Sequence, residues 1–456
     1  MSVTDSGTDS PTASRPGAAR PPAPGFTRER DRAVDVARLG ALVVVMFGHS
    51  ALLLGTIDSG GLRIGNLLGA LPALAPITWI VQVMPLFFLA GGAAGGYGWW
   101  AGTPWGSWLF TRAQRLCRPV FWYLAVWASA LLVVDAVLGA ASAQRLGRES
   151  VALLWFLGVY LVTLAFVPLL TRLRSGTATA LTVAALLCCT GAVDAVRFAI
   201  GAPEAGAPNF LFVWLIPVAI GVGYARRLVS TRAALVLAAA ALSAQVLLAR
   251  TAVYDVSLVV TGTERVSNVS PPTLLLALHC VWMSLAFVAA AGAVRRWAAR
   301  PRVWRVVALG NGGAMTLYLW HIPAIAVAAL GLHAVGLDAF DVDAPGFWAL
   351  LALRAVVFAV VMAALFVLLS PLEHRRLPWW DAPARATGTR ATATGALVCA
   401  AGVALLLVAK EGLGDVTGWA ALAGFAVSVV GARWCQGTSV GSRRDRDYQT
   451  RKRPSR

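Results

Sequence analysis

Long apolar stretches recur along the chain, separated by short polar gaps rich in arginine. Residues 39–54 and 356–369 contain no Asp, Glu, Lys or Arg at all. A helical run of about 20 apolar residues crosses the ~30 Å hydrocarbon core of a bilayer, and in lipid a helix satisfies its own backbone groups. The pattern predicts helices near 34–55, 73–98, 119–141, 150–171, 178–199, 209–225, 232–249, 272–294, 304–331, 346–370, 395–409 and 417–433. The fold class is all-α: a polytopic transmembrane helical bundle of about 12 spans.

The polar gaps carry their own order. Alternate gaps hold Arg28, Arg30 and Arg32, then Arg112, Arg115 and Arg118, then Arg172 and Arg174, then Arg226 and Arg227. The series continues with Arg295, Arg296, Arg300 and Arg302, with Arg375 and Arg376, and with the tail from Arg443 to Arg456. The other gaps hold Asp58, Glu204, Asp255, Glu264, Asp338, Asp341, Asp343 and Asp415. Basic loops stay in the cytoplasm, so the alternation predicts that both termini are cytoplasmic. The organisation that follows is a disordered tail over 1–27, a ten-span unit over 28–380, two further membrane helices over 381–434 and a basic tail over 435–456. The first tail is Ser-, Thr-, Pro- and Gly-rich, and the apolar run behind it is too long for a cleaved signal peptide.

Composition agrees. The 456 residues are 58% hydrophobic and 13% charged, where a soluble domain carries roughly 25% charged residues. The net charge of +18 sits in topology-setting clusters and forms no basic stripe interleaved with aromatics, so nucleic acid is not an expected partner, and membrane lipids are. The six cysteines lack any CxxC pair or framework spacing. Neither disulfides nor a metal site is expected.

Ionisable groups inside membrane helices are costly and mark candidate sites. Arg38 and His49 are eleven residues apart, three turns and about 16 Å along one helix face. A neutral imidazole is a good base and costs less to bury than a carboxylate; the plainer reading makes Arg38 a snorkelling charge and His49 a packing hydrogen-bonder. Asp35 either pairs with Arg38 one turn on or is a solvated helix-end charge. Arg112, Arg115 and Arg118 sit just before Pro119, and are either a cradle for a polyphosphate or positive-inside charge. Tyr318 to Pro323, behind Gly310, Asn311, Gly312 and Gly313, suggests an interrupted helix with His321 facing a cavity, or an aromatic belt with an incidental histidine. Residues 84–92 look similarly broken, with small residues suited to close helix approach. Glu373 ends the tenth run at its basic edge.

Together these segments resemble the membrane-bound acyltransferase family 3, bacterial integral-membrane O-acyltransferases that decorate surface polysaccharides, lipids and secreted metabolites. Arg38 and His49 reproduce its Arg-x10-His signature, and Arg112 to Arg115 its Arg-x-x-Arg motif. Leu86 to Gly92 looks like its Phe-Phe-x-Leu-Ser-Gly-Phe stretch, with Ala90 and Gly92 departing from it. Leu154 to Leu157 resembles its Trp-Phe segment, Tyr318 to Pro323 its Tyr-x-x-His-x-Pro motif, and Glu373 its late acidic position. The resemblance covers residues 28–380 and leaves out the last two helices.

It implies an acyltransferase of the plasma membrane of a bacterial cell envelope. The enzyme would move an acyl group, typically acetyl, from cytoplasmic acyl-CoA to a hydroxyl of a glycan, glycolipid or secreted metabolite. It implies no bound cofactor, with acyl-CoA as co-substrate. His49 is then the base or a transient acyl carrier, Arg38 its companion, and Arg112, Arg115 and Arg118 the CoA-phosphate cradle. Asp35, Tyr318, His321 and Glu373 are the further candidates for lining the site. A secondary transporter or a non-catalytic membrane scaffold is the alternative, although no internal repeat relates the two halves.

The topology makes a direct prediction. In a variant otherwise free of cysteine, Asp341→Cys is labelled by an impermeant maleimide on intact cells, and Arg375→Cys only after permeabilisation. The opposite labelling pattern would overturn the assignment.

Overall fold

The computed structural model describes residues 31–59, 61–413 and 416–437. The expected tail over 1–27, Arg28 and Arg30, and the expected basic tail beyond residue 437 lie outside the described residues.

The chain is a succession of helices. α1 (Arg32–Leu52) leads into an antiparallel hairpin of β1 (Leu53–Asp58) and β2 (Gly61–Asn66). α2 (Leu67–Ala70), a 3-10 turn over Pro72–Ile77 and α3 (Thr78–Val81) precede α4 (Met84–Gly98). Next come α5 (Trp105–Leu138), α6 (Ala140–Ala152), α7 (Leu154–Leu164) and α8 (Val167–Leu170). They are followed by α9 (Gly176–Ile200), α10 (Asn209–Ala225), α11 (Thr231–Arg250) and α12 (Leu274–Ala298). The last elements are α13 (Pro301–Gly312), α14 (Ala314–His333), α15 (Phe347–His374), α16 (Gly388–Glu411) and α17 (Val416–Cys435).

Twelve helical segments among the described residues are long and apolar enough to span a membrane, as expected. Leu132, Leu181, Val236, Val360 and Leu368 all lie on the outside, an arrangement that suits lipid and not water. The protein is a multi-pass membrane protein.

Element edges differ from the sequence pattern where polar residues sit beside them. The first span stops at Leu52, because Gly55, Thr56, Asp58 and Gly61 turn the chain into the hairpin instead of continuing the helix. The third span starts at Trp105 and runs unbroken through Pro119. Proline forfeits one backbone hydrogen bond, and the buried Trp108, Leu109, Phe110 and Cys117 hold the turns before it against the core. The eleventh span, the shortest by hydropathy, is a 24-residue helix.

Two polar networks fix breaks and junctions. The second span is interrupted at Gln82 and Val83, where the His279 Nε2–H donates to the Gln82 carbonyl at 2.7 Å and Gln82 Nε2 donates to Leu258 O at 2.7 Å. His279 is thus a structural bond that satisfies a freed backbone carbonyl. Between α9, α10 and α12, the buried Asp194 carboxylate accepts from Asn209 Nδ2 at 3.0 Å, Tyr254 Oη at 2.9 Å and the Leu274 amide at 2.8 Å, and faces Arg197 at 3.8 Å. Burial, then the neighbouring carboxylate, pushes the Tyr254 phenol up, so it stays a donor.

α14 is held at both ends. Glu373 on α15 accepts from the Thr316 amide at 2.9 Å and from Thr316 Oγ1 at 2.8 Å, in the first turn of α14. At the other end, Asp338 accepts from His333 Nδ1 at 2.7 Å and from Thr56 Oγ1 of β1 at 2.8 Å.

The last two helices are built into the bundle. A Cβ on Gly106 of α5 would collide with the Ala391 carbonyl of α16, one on Gly158 of α7 with the Gly402 carbonyl, and one on Gly395 with the Trp105 ring. Backbones meet directly at these crossings, the small-residue packing that dispersion favours in lipid. Gln436 adds a polar tie, accepting from the Ala386 amide and bonding Ser107 and Thr394. We predict that Gly158→Leu costs about 3 kcal/mol by forcing α7 and α16 apart, read as a lowered thermal midpoint in detergent. An unchanged midpoint would mean that the contact is dispensable.

Candidate active site

His49 and His321, 272 positions apart in the chain, are hydrogen-bonded to each other. His49 Nδ1 lies 2.9 Å from His321 Nε2, with the ring planes within 7° of parallel. α1 brings His49 to the crossing with α14, and His321 is fully buried there while His49 is only half-buried.

The partners assign the tautomers. His321 Nδ1 lies 2.6 Å from the Tyr318 carbonyl, which can only accept, so this nitrogen carries the hydrogen. A neutral His321 then has a bare Nε2 and must accept. His49 Nδ1 must therefore donate, which leaves Nε2 of a neutral His49 unprotonated. The chain from Tyr318 O through His321 to His49 ends in a free imidazole lone pair on the partly accessible ring. Such a nitrogen can take a proton from a bound hydroxyl or attack a carbonyl.

A second group of residues lies toward the start of α1. Arg38 Nη1 is 3.7 Å from Asp35 Oδ1, and Asp35 is buried. The Asn311 side chain donates to the Asp35 carbonyl at 2.9 Å and joins α13 to this turn. Arg112 stacks its guanidinium 3.6 Å above the Trp108 ring and donates to the Trp108 carbonyl. The Tyr160 hydroxyl is within electrostatic reach of both Arg38 and Arg112. Arg115 is exposed one turn beyond Arg112, so a compact basic patch faces this end of the bundle.

An unbroken series of ring contacts joins the two groups. Tyr160 packs on Phe156 at 5.4 Å, Phe156 on Tyr318 at 5.4 Å, and Tyr318 on His321 at 6.0 Å between centroids. Phe88 closes the same cluster from α4, against both Phe156 and Tyr160. Gly91 makes this possible, since a Cβ there would sit 2.5 Å from the Tyr160 ring; Gly92 lets α4 meet the α10 backbone at Val218. The small residues in this motif are packing elements.

Several sequence candidates take other places. Arg118 turns from the patch to Asp381, with Nη1 3.2 Å from Oδ2; Asp381 also accepts from the Leu377 amide. Glu373 caps α14. Tyr318 donates its hydroxyl to the Leu153 carbonyl, and its own carbonyl orients His321. The helix interruption lies at Gly313, between α13 and α14, while Pro323 is inside continuous α14. Sequence reasoning missed Tyr160, although its place one turn after Phe156 on an aromatic face was a signal. It also passed over Arg354, a lone charge in an otherwise apolar span.

Comparison with known proteins adds one finding. Residues 31–369 match the family model described as an acyltransferase domain. No curated protein and no solved structure matches the chain.

The capping geometry is testable. Glu373→Ala leaves the first-turn donors of α14 without their acceptor and is expected to cost about 1 kcal/mol of stability, with Glu373→Gln recovering part of it. Equal thermal midpoints for Glu373→Ala and wild type would remove this role.

Proposed function

The chain belongs to this acyltransferase family, and from that premise we propose that it moves an acyl group, acetyl in the simplest case, from cytoplasmic acyl-CoA to a hydroxyl of a glycan, glycolipid or secreted metabolite at the plasma membrane. The observation that carries the proposal is the hydrogen-bond chain that leaves His49 Nε2 bare.

In this reading the basic patch faces the cytoplasm, as the arginine-rich gaps indicate. Arg112 and Arg115, with Arg38 behind them, take the phosphates of CoA by charge-assisted hydrogen bonds. Arg118, neutralised by Asp381, supports the helix and does not join the cradle. The acyl arm follows the aromatic series from Tyr160 past Phe156 and Tyr318 to the histidine pair, where flat apolar walls suit a thin, uncharged chain. There the acceptor hydroxyl gives its proton to His49 Nε2 as its oxygen attacks the thioester carbonyl. His321 holds the imidazole ring in the reactive tautomer, the task a carboxylate or a carbonyl performs in other histidine-based sites.

Purified protein in nanodiscs is expected to release CoA in an acceptor-dependent way. His49→Ala lowers kcat by at least about 10²-fold with insertion unchanged, the ordinary contribution of a positioned base. His321→Ala lowers it by a similar factor, and His321→Gln restores part, because its amide can donate to Tyr318 O and accept from His49 Nδ1. Arg115→Ala raises the donor KM and leaves kcat alone. Full activity of His49→Ala would remove the histidine from the reaction, and substrate counterflow without chemical change would favour a transporter.

A further inference from the structure

Arg354 is a buried guanidinium on α15, 2% exposed and inside a membrane-spanning helix. Among the described residues no carboxylate pairs with it. Its one hydrogen bond runs from Nη2 to the Ser50 carbonyl at 2.7 Å, while Nε and Nη1 are buried without partners. Ser50 is itself 2% exposed, and its Oγ also lacks a partner; it does not make even the bond to the preceding turn that helical serines commonly form. Phe358 packs edge-on against Phe47 at 5.4 Å and fixes this stretch of α15 on α1.

Capping the last turn of α1 accounts for one of the five N–H donors of the guanidinium. Nε and Nη1, with the Ser50 hydroxyl, remain as buried donors without partners, and Ser50 directly follows His49 in α1. A buried unpartnered cation is strongly disfavoured in a membrane, so a retained one needs an anion at some stage. The chemistry placed at His49 generates such an anion.

We propose that Arg354 and Ser50 form the oxyanion site of the acyl transfer, an inference that rests on the acyltransferase reading above. As the acceptor oxygen attacks and its proton passes to His49 Nε2, the carbonyl π pair moves onto oxygen. Arg354 N–H and Ser50 O–H donate to that oxyanion. Its collapse re-forms the carbonyl and breaks the C–S bond, and the departing thiolate of CoA takes the proton back from His49. Donors held unsatisfied in a dry site act on the transition state and add little to ground-state binding.

The test compares wild type, Arg354→Gln, Arg354→Lys and Ser50→Ala in nanodiscs, with acetyl-CoA as donor and the acceptor that supports wild-type turnover. Arg354→Gln is expected to lower kcat by about 10²-fold with both KM values nearly unchanged. Arg354→Lys recovers part of the loss. Ser50→Ala, which removes an oxygen that holds no bond, keeps the wild-type thermal midpoint and loses roughly tenfold in kcat. A folded Arg354→Gln with wild-type kcat, or one whose whole effect lies in acceptor KM, overturns the oxyanion role. If Arg354→Gln does not fold, wild-type kcat in Ser50→Ala overturns it. Absence of acyl transfer by the wild type counts against the acyltransferase reading itself, and so separates the two failures.

Discussion

A hydrogen bond between two neutral imidazoles has a direction, and the direction decides which nitrogen at its end is bare. In this protein the direction is set by a backbone carbonyl. Tyr318 O fixes the hydrogen on His321, His321 fixes the hydrogen on His49, and the bare lone pair is left on the ring that remains partly accessible. Protonating either ring adds a hydrogen and leaves the pair with a buried charge in a medium that solvates charge poorly. The dyad therefore has one favoured arrangement at rest, and the surrounding helices hold both rings to it.

The scaffold around the dyad follows from the same low-dielectric constraint. At two breaks between helices a side chain answers the freed backbone groups: His279 at the Gln82 break, and Glu373 at the Gly313 break. Buried charges come in answered sets, as at Asp194 with Arg197, Asn209 and Tyr254. Against that background Arg354 stands out among the described residues, with both Nε and Nη1 unpartnered where Arg118 and Arg433 each leave only Nε. α16 and α17 lie beyond the matched family region, yet α16 meets α5 and α7 backbone to backbone, the two helices that carry Arg112 and Tyr160. A segment read as an addition at the sequence level shares the wall that places the basic patch.

Much of this was legible in the sequence because it is periodic or local. The number of spans follows from hydropathy, and the shared face of Arg38 and His49 follows from three helical turns. Both histidines of the dyad were visible as polar residues in apolar runs. Their bond was not, because it joins positions 272 apart and depends on the angle at which α14 crosses α1. The same reason hid the partners of Arg118 and Glu373: Asp381 and Thr316 come from distant positions and meet them only in the folded chain. The start of α5 was misplaced because proline ordinarily opens a helix, whereas Pro119 sits within one whose earlier turns are packed on both sides.

The two anchors of α14 have a mechanical consequence. A helix pinned at one end can still roll about its long axis, and even a modest roll would carry His321 away from its partner. Glu373 grips the first turn and the Thr56–His333–Asp338 group grips the last, so the helix resists torsion like a shaft seated in two bearings. The spacing between the rings is thereby set by residues that never approach them.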